Sequence, residues 1–179
     1  MTAYGGKELA NSFRTVRKNT IQVAEDIPEL QYGHVPAPEC MPVARMLTHI
    51  AVTVQFWDEI HRKQRRTTMQ GLDFVALRGA AEADESKPRT KAEIIELLRT
   101  QGEQFASWLE TLPPEFLAEQ VTEFDGKTSK SRFEFLLGAK EHEMHHRAQL
   151  MLIERQLGIV PHITKQRQER IAQMIAAKA

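Results

Sequence analysis

Four long segments of the sequence repeat apolar residues at alternating intervals of three and four, and this period constrains the fold more than any other feature. Residues spaced in this way lie on one side of an α-helix, because 3.6 residues complete a turn. Each segment therefore predicts an amphipathic helix that buries one face in a shared core. The four stripes run between Leu9 and Ile27, Met46 and Ile60, Ile94 and Leu112, and Phe135 and Leu157.

Residues that cap or interrupt helices fall between these stripes. Thr90 with Glu93, and Ser131 with Glu134, have the spacing of a capping box, in which two side chains satisfy backbone N–H groups at a helix start. Pro42 stands just before the second stripe, where the first helical turn tolerates proline. These patterns predict an all-α protein built as a four-helix bundle.

The segments outside the stripes are shorter. The stretch 67–88 contains enough apolar residues to predict a short packed helix, and residues 121–129 predict a small hairpin or a turn. Apolar residues after Pro161 predict a short C-terminal fifth helix. The length is close to that of one typical domain, so we expect a single domain over residues 1–179.

Charge and composition exclude several classes of protein. The 24 basic and 24 acidic residues cancel, whereas a nucleic-acid-binding domain usually carries a surplus of basic residues. The sequence has no stretch of the roughly 20 apolar residues that span a bilayer, and its polar start is unlike a signal peptide. The single cysteine, Cys40, excludes an internal disulfide and suits a reducing compartment. We therefore expect a cytoplasmic protein that binds neither nucleic acid nor membrane.

Three histidines lie on the inward stripes. His49 belongs to the second stripe, and His142 and His146 belong to the fourth. Side chains four residues apart on a helix project from one face in adjacent turns, so two imidazoles at this spacing can bind the same ion. A third imidazole from another helix would complete a three-histidine face. Such a face leaves coordination positions for water or substrate, which is typical of a catalytic metal site.

A histidine on an apolar stripe is more often a core residue with a hydrogen-bonded ring, and this interpretation competes for His49 taken alone. Three rings in one core each require a partner, because an unpaired buried polar group costs about 1–3 kcal/mol. The other polar residues of the stripes, such as Thr53, Gln101 and Gln149, are too few to satisfy all three rings. We therefore predict a shared metal ion. The sequence itself assigns no catalytic or cofactor-binding residue.

The five residues from His142 to His146 also match H-E-x-x-H, the zinc-protease motif in which the glutamate is the general base. The glycine and third histidine of the extended motif do not follow it. Glu154 or Glu169 would have to act as third ligand, and the upstream segments predict helices rather than a substrate-binding sheet. A metal hydrolase of this type is therefore the weaker alternative.

The other polar residues around the motif receive lesser roles. His145 lies toward the edge of the inward stripe and is a candidate for the rim of the site. Glu141 and Glu143 flank His142, and each is a candidate to orient a ligand ring or to pair with a neighbouring residue. The remaining histidines are expected to be solvated: His34, His61 and His162.

Two segments carry a family resemblance. Leu47-Thr48-His49-Ile50, followed by the segment EHEMHHRAQL at residues 141–150, resembles the DinB/YfiT-like superfamily of metalloenzymes. The family pattern is a lone histidine on the second helix and H-x-x-x-H-R-x-Q on a later helix. The resemblance implies an up-up-down-down helix bundle, often a homodimer, with a divalent ion held by three histidines. Carried over, the ligands are His49, His142 and His146, and the usual ion is zinc or nickel.

The resemblance also implies a chemistry. Characterised members include transferases that use thiols of the bacillithiol, mycothiol or glutathione type. We therefore expect thiol-dependent transferase chemistry on a small-molecule substrate, with a divalent metal and a low-molecular-weight thiol as cofactors. A non-enzymatic bundle that binds metal or serves in a stress response remains the alternative, and the sequence does not decide whether the protein is an enzyme.

A second apolar line follows the fourth predicted helix on the side away from the histidines. It consists of Phe133, Leu137, Met144 and Met151. A bundle helix is usually polar on that side. The line predicts either packing beneath the long connection or the C-terminal helix, or the surface of a homodimer.

Overall fold

The structure is a computed structural model that describes residues 4–177. Its elements are α1 (Gly6–Asp26), α2 (Val43–Trp57), α3 (Phe74–Glu85), α4 (Lys91–Glu110), α5 (Pro114–Ala118), β1 (Gln120–Thr122), β2 (Ser129–Ser131), α6 (Arg132–Gln156) and α7 (His162–Ala176). The four long helices, α1, α2, α4 and α6, coincide with the four stripes. The predicted all-α four-helix bundle is thus confirmed, as are the short helix in the long connection, the hairpin and the C-terminal helix.

The helix boundaries follow the sequence signals. Thr90 and Ser131 both accept hydrogen bonds from the backbone N–H three residues later, and the paired glutamates bond back to them. The end of α2 departs from the expectation. It continues as a π-helical turn over Asp58–Lys63, a rare form that shifts the direction of the side chains that follow it.

The four long helices enclose two layers of core. Both α1 and α2 pack against α4 and α6, so α1 and α2 lie on one diagonal of the bundle. We call them the upper layer, which holds residues such as Ile27, Leu47 and Leu98, and the lower layer, which holds residues such as Phe13 and Phe105. The polar residues of the candidate site lie between these layers, along α2 and α6.

The direction of the helices corrects one expectation. Tyr4 contacts Phe133 and Arg17 contacts Glu143, so α1 and α6 are parallel. Contacts of Lys91 with the last turn of α1, and of α2 with the first turns of α6, show that α4 is antiparallel to α1 and α2 to α6. The order along the chain is therefore up-down-down-up, and the expected up-up-down-down order is wrong. The links over residues 27–42 and 111–131 join antiparallel helices, whereas the longest link, which contains α3, returns along the bundle and makes α2 and α4 parallel.

Most side chains of the second apolar line of α6 pack against other residues of the same chain. Phe133 and Leu137 pack against the lower core layer, and Met151 packs against the upper one. Met144 is 43% exposed. Three of the four residues thus contact the bundle core, which the sequence did not predict, and homodimerisation stays a prediction.

Among residues 4–177, the helices are all too short or too polar to cross a lipid bilayer.

Candidate metal centre

The three predicted histidines converge between α2 and α6. Nε2 of His142 lies 3.1 Å from Nε2 of His49 and 3.2 Å from Nε2 of His146. Nitrogens about 2.1 Å from one tetrahedral zinc ion lie roughly 3.4 Å apart, so this spacing fits a shared ion. Within residues 4–177, no other group of three or more histidine, cysteine or acidic side chains comes this close together. That these residues bind metal stays a prediction.

Glu85, the last residue of α3, fixes the proton of His49. Its Oε1 lies 2.6 Å from Nδ1 of His49, and the glutamate is 5% exposed. A carboxylate accepts a hydrogen bond, so Nδ1 of His49 carries the proton and Nε2 keeps its lone pair toward the cluster. A carboxylate on the far nitrogen of a ring is the usual arrangement around histidines that bind metal.

Gln149 has the same effect on His146. Its Oε1 accepts from Nδ1 of His146 at 2.8 Å, which leaves Nε2 of that ring as the ligand atom. Two lone pairs therefore face the Nε2 atom of His142 without a side chain between them. A proton on Nε2 of His142 can form a hydrogen bond with only one of these lone pairs at a time, whereas a shared cation would accept a lone pair from each of the three rings.

Burial keeps two of the rings neutral. Burial, with the adjacent His146 and His49 rings as smaller causes, lowers the pKa of His142 to about 3. Burial also lowers the pKa of His146, although the hydrogen bond with Gln149 acts in the opposite direction. Both rings are therefore unprotonated at neutral pH, and the neutral imidazole is the form that binds a metal ion.

One side of the cluster opens into a cavity of about 330 Å³ between α2 and α3. His49 and His142 form its inner end. We call it the α2–α3 cavity, and its lining includes His49, Val52, Phe56, Leu77, Ala81 and His142. An ion held by three histidines here would have its remaining coordination positions near this space, as a catalytic site requires and a closed structural site does not.

The structure rejects the H-E-x-x-H interpretation. Glu143 is 2% exposed, and both of its carboxylate oxygens accept from Nε of Arg17 at 3.0 Å. Glu143 directly follows His142 in α6, but its side chain points to α1 instead of to the histidine cluster. A general base must reach the metal-bound water, so Glu143 cannot have the role that the protease motif assigns to it.

Two of the histidines expected to be solvated are buried. His61 is 1% exposed because the π-helical turn directs it inward, where its Nδ1 accepts from Arg132 at 3.0 Å. Burial and the charge of Arg132 lower the pKa of His61 to about 3. His162 begins α7 and is buried against α1, where its ring lies 3.2 Å from the side-chain oxygen of Asn19. His34 is half-buried. His145 is exposed, in agreement with a place at the rim.

Sequence reasoning missed Glu85. The candidates for orienting a ring were Glu141 and Glu143, but Glu141 is exposed and Glu143 binds Arg17. Glu85 follows Leu77 and Ala81 at intervals of four residues, so it continues the inward stripe of α3. An acid on an otherwise apolar stripe is the signal that indicates it.

Comparisons with known proteins agree with this architecture. The sequence profile of the DinB superfamily matches residues 12–150. The chain is 23% identical over 153 residues to the uncharacterized protein YjoA of Bacillus subtilis, covering 84% of this chain and 90% of YjoA. The crystal structure of YjoA, a DinB-like protein, superposes with a TM-score of 0.61 at 21% identity over 84% of this chain and 92% of that one.

A second similar structure is YfiT from Bacillus subtilis, described as a probable metal-dependent hydrolase with an unusual four-helix bundle topology. It superposes with a TM-score of 0.68 at 16% identity, over 89% of this chain and 91% of YfiT. At this identity the likeness establishes a shared fold.

Proposed function

This chain belongs to the DinB superfamily, and on that premise we propose that it is a metal-dependent enzyme. His49, His142 and His146 would bind one divalent ion, zinc or nickel. The observation that supports this most directly is the approach of three Nε2 atoms, two of them with lone pairs fixed by Glu85 and Gln149.

The reaction we propose is a transferase reaction in which a low-molecular-weight thiol is the nucleophile. A divalent ion held by His49, His142 and His146 would lower the pKa of a bound thiol or water and so would supply a nucleophile at neutral pH. Glu85 holds the Nδ1 proton of His49 and keeps its Nε2 directed at the site. The α2–α3 cavity provides the space in which a small-molecule substrate would meet the nucleophile. Hydrolysis by water is the second candidate, favoured by the description of YfiT.

Metal stoichiometry tests the proposed ligands. We expect purified protein to hold one divalent ion per chain, and His146→Ala to hold none. His145→Ala is the matched control, because its ring is exposed one residue away on the same helix and lies outside the cluster. Elemental analysis after dialysis measures the content. Retention of the ion by His146→Ala, or equal loss from both variants, would contradict the three-histidine site.

A cobalt-substituted sample tests the reaction class. An open site that takes a thiol is expected to change its visible absorption when cysteine or glutathione is added, because a sulfur ligand alters the field at the ion. Oxidised glutathione, which has no free thiol, is the control. A spectrum that stays constant with every thiol but changes with azide favours hydrolysis. A spectrum constant with all of them favours a non-enzymatic metal-binding protein.

A further inference from the structure

Beyond its histidine end, the α2–α3 cavity is lined mainly by apolar side chains, although Thr53 and Gln55 also line it. Val52 and Phe56 line it from α2, and Phe74, Leu77 and Ala81 line it from α3. A volume of about 330 Å³ is within the range of pockets that enclose small ligands. The walls therefore suit an apolar group of limited size.

The charged side chains around the cavity already have partners. Lys63 lies 3.1 Å from Glu59, and Arg78 lies 2.9 Å from Glu82. The acid at the inner end, Glu85, is bound to His49. Each of the two cations that line the cavity therefore already has a carboxylate to offset its charge, and the apolar walls need no counter-charge.

Helix α3 covers the cavity with few other attachments. Its only fully buried residue is Glu85, and among the long helices it packs mainly on α2. Leu77 and Ala81 consequently face a space into which water can enter rather than a filled core. Filling that space with hydrocarbon would remove their apolar surface from water, which is favourable.

Resting on the proposed function, we propose that the substrate is a small molecule with a hydrocarbon tail and one polar reacting group. The tail lies in the α2–α3 cavity between Phe56 and Leu77, and the polar group lies at the three-histidine cluster. Selectivity then comes from the length and width of the tail.

A series of straight-chain alkyl hydroxamates tests this proposal. The hydroxamate group binds a divalent ion through two oxygens, and the alkyl chain is lengthened from acetohydroxamate one carbon at a time. For the zinc-loaded protein we expect the dissociation constant to fall about fourfold per methylene, since a buried methylene contributes about 0.8 kcal/mol. The fall should stop when the cavity is full. Isothermal titration calorimetry measures each constant.

Three variants locate the tail. Leu77→Asp places a charge on the wall and should abolish the dependence on chain length while acetohydroxamate binds as before. Val75→Asp is the matched control, because Val75 is 81% exposed on the same helix. Ala81→Leu fills part of the cavity and should end the fall at a shorter chain. Hydroxamates that bind with the same slope in all four proteins, or that bind the parent protein without any slope, would overturn the proposal.

A metal-free arm separates this proposal from the proposed function. The 1-alkanols from ethanol to 1-heptanol are added to the metal-free protein, and methyl NMR signals of Val52, Leu77 and Val75 are followed. Shifts at Val52 and Leu77 that strengthen with chain length, without shifts at Val75, support the apolar cavity even if no hydroxamate binds. Absence of binding by acetohydroxamate would contradict only the metal site, whereas alkanols that leave Val52 and Leu77 unshifted would overturn the tail.

Discussion

His142 and Glu143 are consecutive residues of α6, and their side chains enter opposite kinds of environment. His142 faces two other imidazoles across 3.1 and 3.2 Å, and a proton on its Nε2 can satisfy the lone pair of only one of them at a time. Glu143 is surrounded by donors from Arg17, which also binds the carbonyl oxygens of Leu98 and Ile50. One face of the helix carries a cluster of imidazoles that opens to a cavity, and the other carries a closed ion pair. The difference supports the proposed ligand-binding role for the histidine cluster and a structural role for the ion pair.

The largest expected effect is on stability and comes from mutating the buried Arg17–Glu143 ion pair. Glu143→Ala leaves the Arg17 guanidinium buried without a counter-charge, and we expect a loss of about 3–5 kcal/mol in the free energy of unfolding. Urea denaturation followed by circular dichroism measures the loss. The folded protein should still hold its metal ion, because Glu143 does not contact the three histidines.

The paired replacement Arg17→Met with Glu143→Leu is the control for that measurement. It removes both charges and leaves apolar side chains of similar size, so we expect stability close to that of the parent protein, or higher. If the double variant were as unstable as Glu143→Ala, the shape of these side chains rather than their charge would explain the loss.

A second buried glutamate of α6 sharpens the contrast, because Glu154 lacks the cation that Glu143 has. Burial, and next the charge of Asp26, raise the pKa of Glu154 to about 7. The folded protein therefore holds a proton that the unfolded chain releases near pH 4.5. The contribution of this carboxyl to stability is present below pH 4.5 and is lost as the pH rises to about 7, by about 3 kcal/mol.

The variant Glu154→Gln should remove that slope from the free energy of unfolding measured between pH 4.5 and 7. Glu141→Gln, at an exposed position of the same helix, should keep it. Equal slopes in the parent protein and Glu154→Gln would show that Glu154 is ionised in the folded state across this range.

The smallest expected effect is at the histidine cluster, where Glu85 contacts His49. Glu85→Ala is expected to weaken metal binding 10- to 100-fold, because His49 loses the acceptor that fixes its tautomer. Competition with a chromophoric chelator measures the affinity. Glu82→Ala, at a partly exposed position of the same helix that pairs with Arg78, should leave the affinity unchanged. Equal losses in the two variants would mean that Glu85 acts through helix α3 rather than through His49.

The helices and two of the candidate ligands follow from local patterns. The stripe from Ile94 to Leu112 predicts α4 because only a helix places those residues on one buried side, and the boxes at Thr90 and Ser131 define where two helices begin. The neighbouring positions of His142 and His146 follow from the helical repeat in the same way. The direction of α4 does not, since it depends on the path of the long link.

The surroundings of the histidines are less predictable from the sequence. His61 lies next to an apolar stripe and gives no sign of burial, because the π-helical turn that directs it inward has no reliable sequence signal. Glu85 is separated from His49 by 35 residues and from the motif on α6 by more, so their contact depends on how α3 docks. Of the two roles expected for Glu143, pairing with a neighbouring residue is the one observed. The sequence left both open, because a five-residue motif does not specify which helix lies on each side of it.

The sequence by itself determined the helices, their buried faces and the positions of three histidines on those faces, because each depends on interactions within a few turns of chain. The tertiary structure decided the order of helix directions, the placement of Glu85 on His49, the engagement of Glu143 by Arg17 and the cavity beside the cluster. These features arise where distant segments meet. Contacts of that kind are fixed by the packing of whole helices, and the periodicity of one segment does not specify which residues of another segment it will meet.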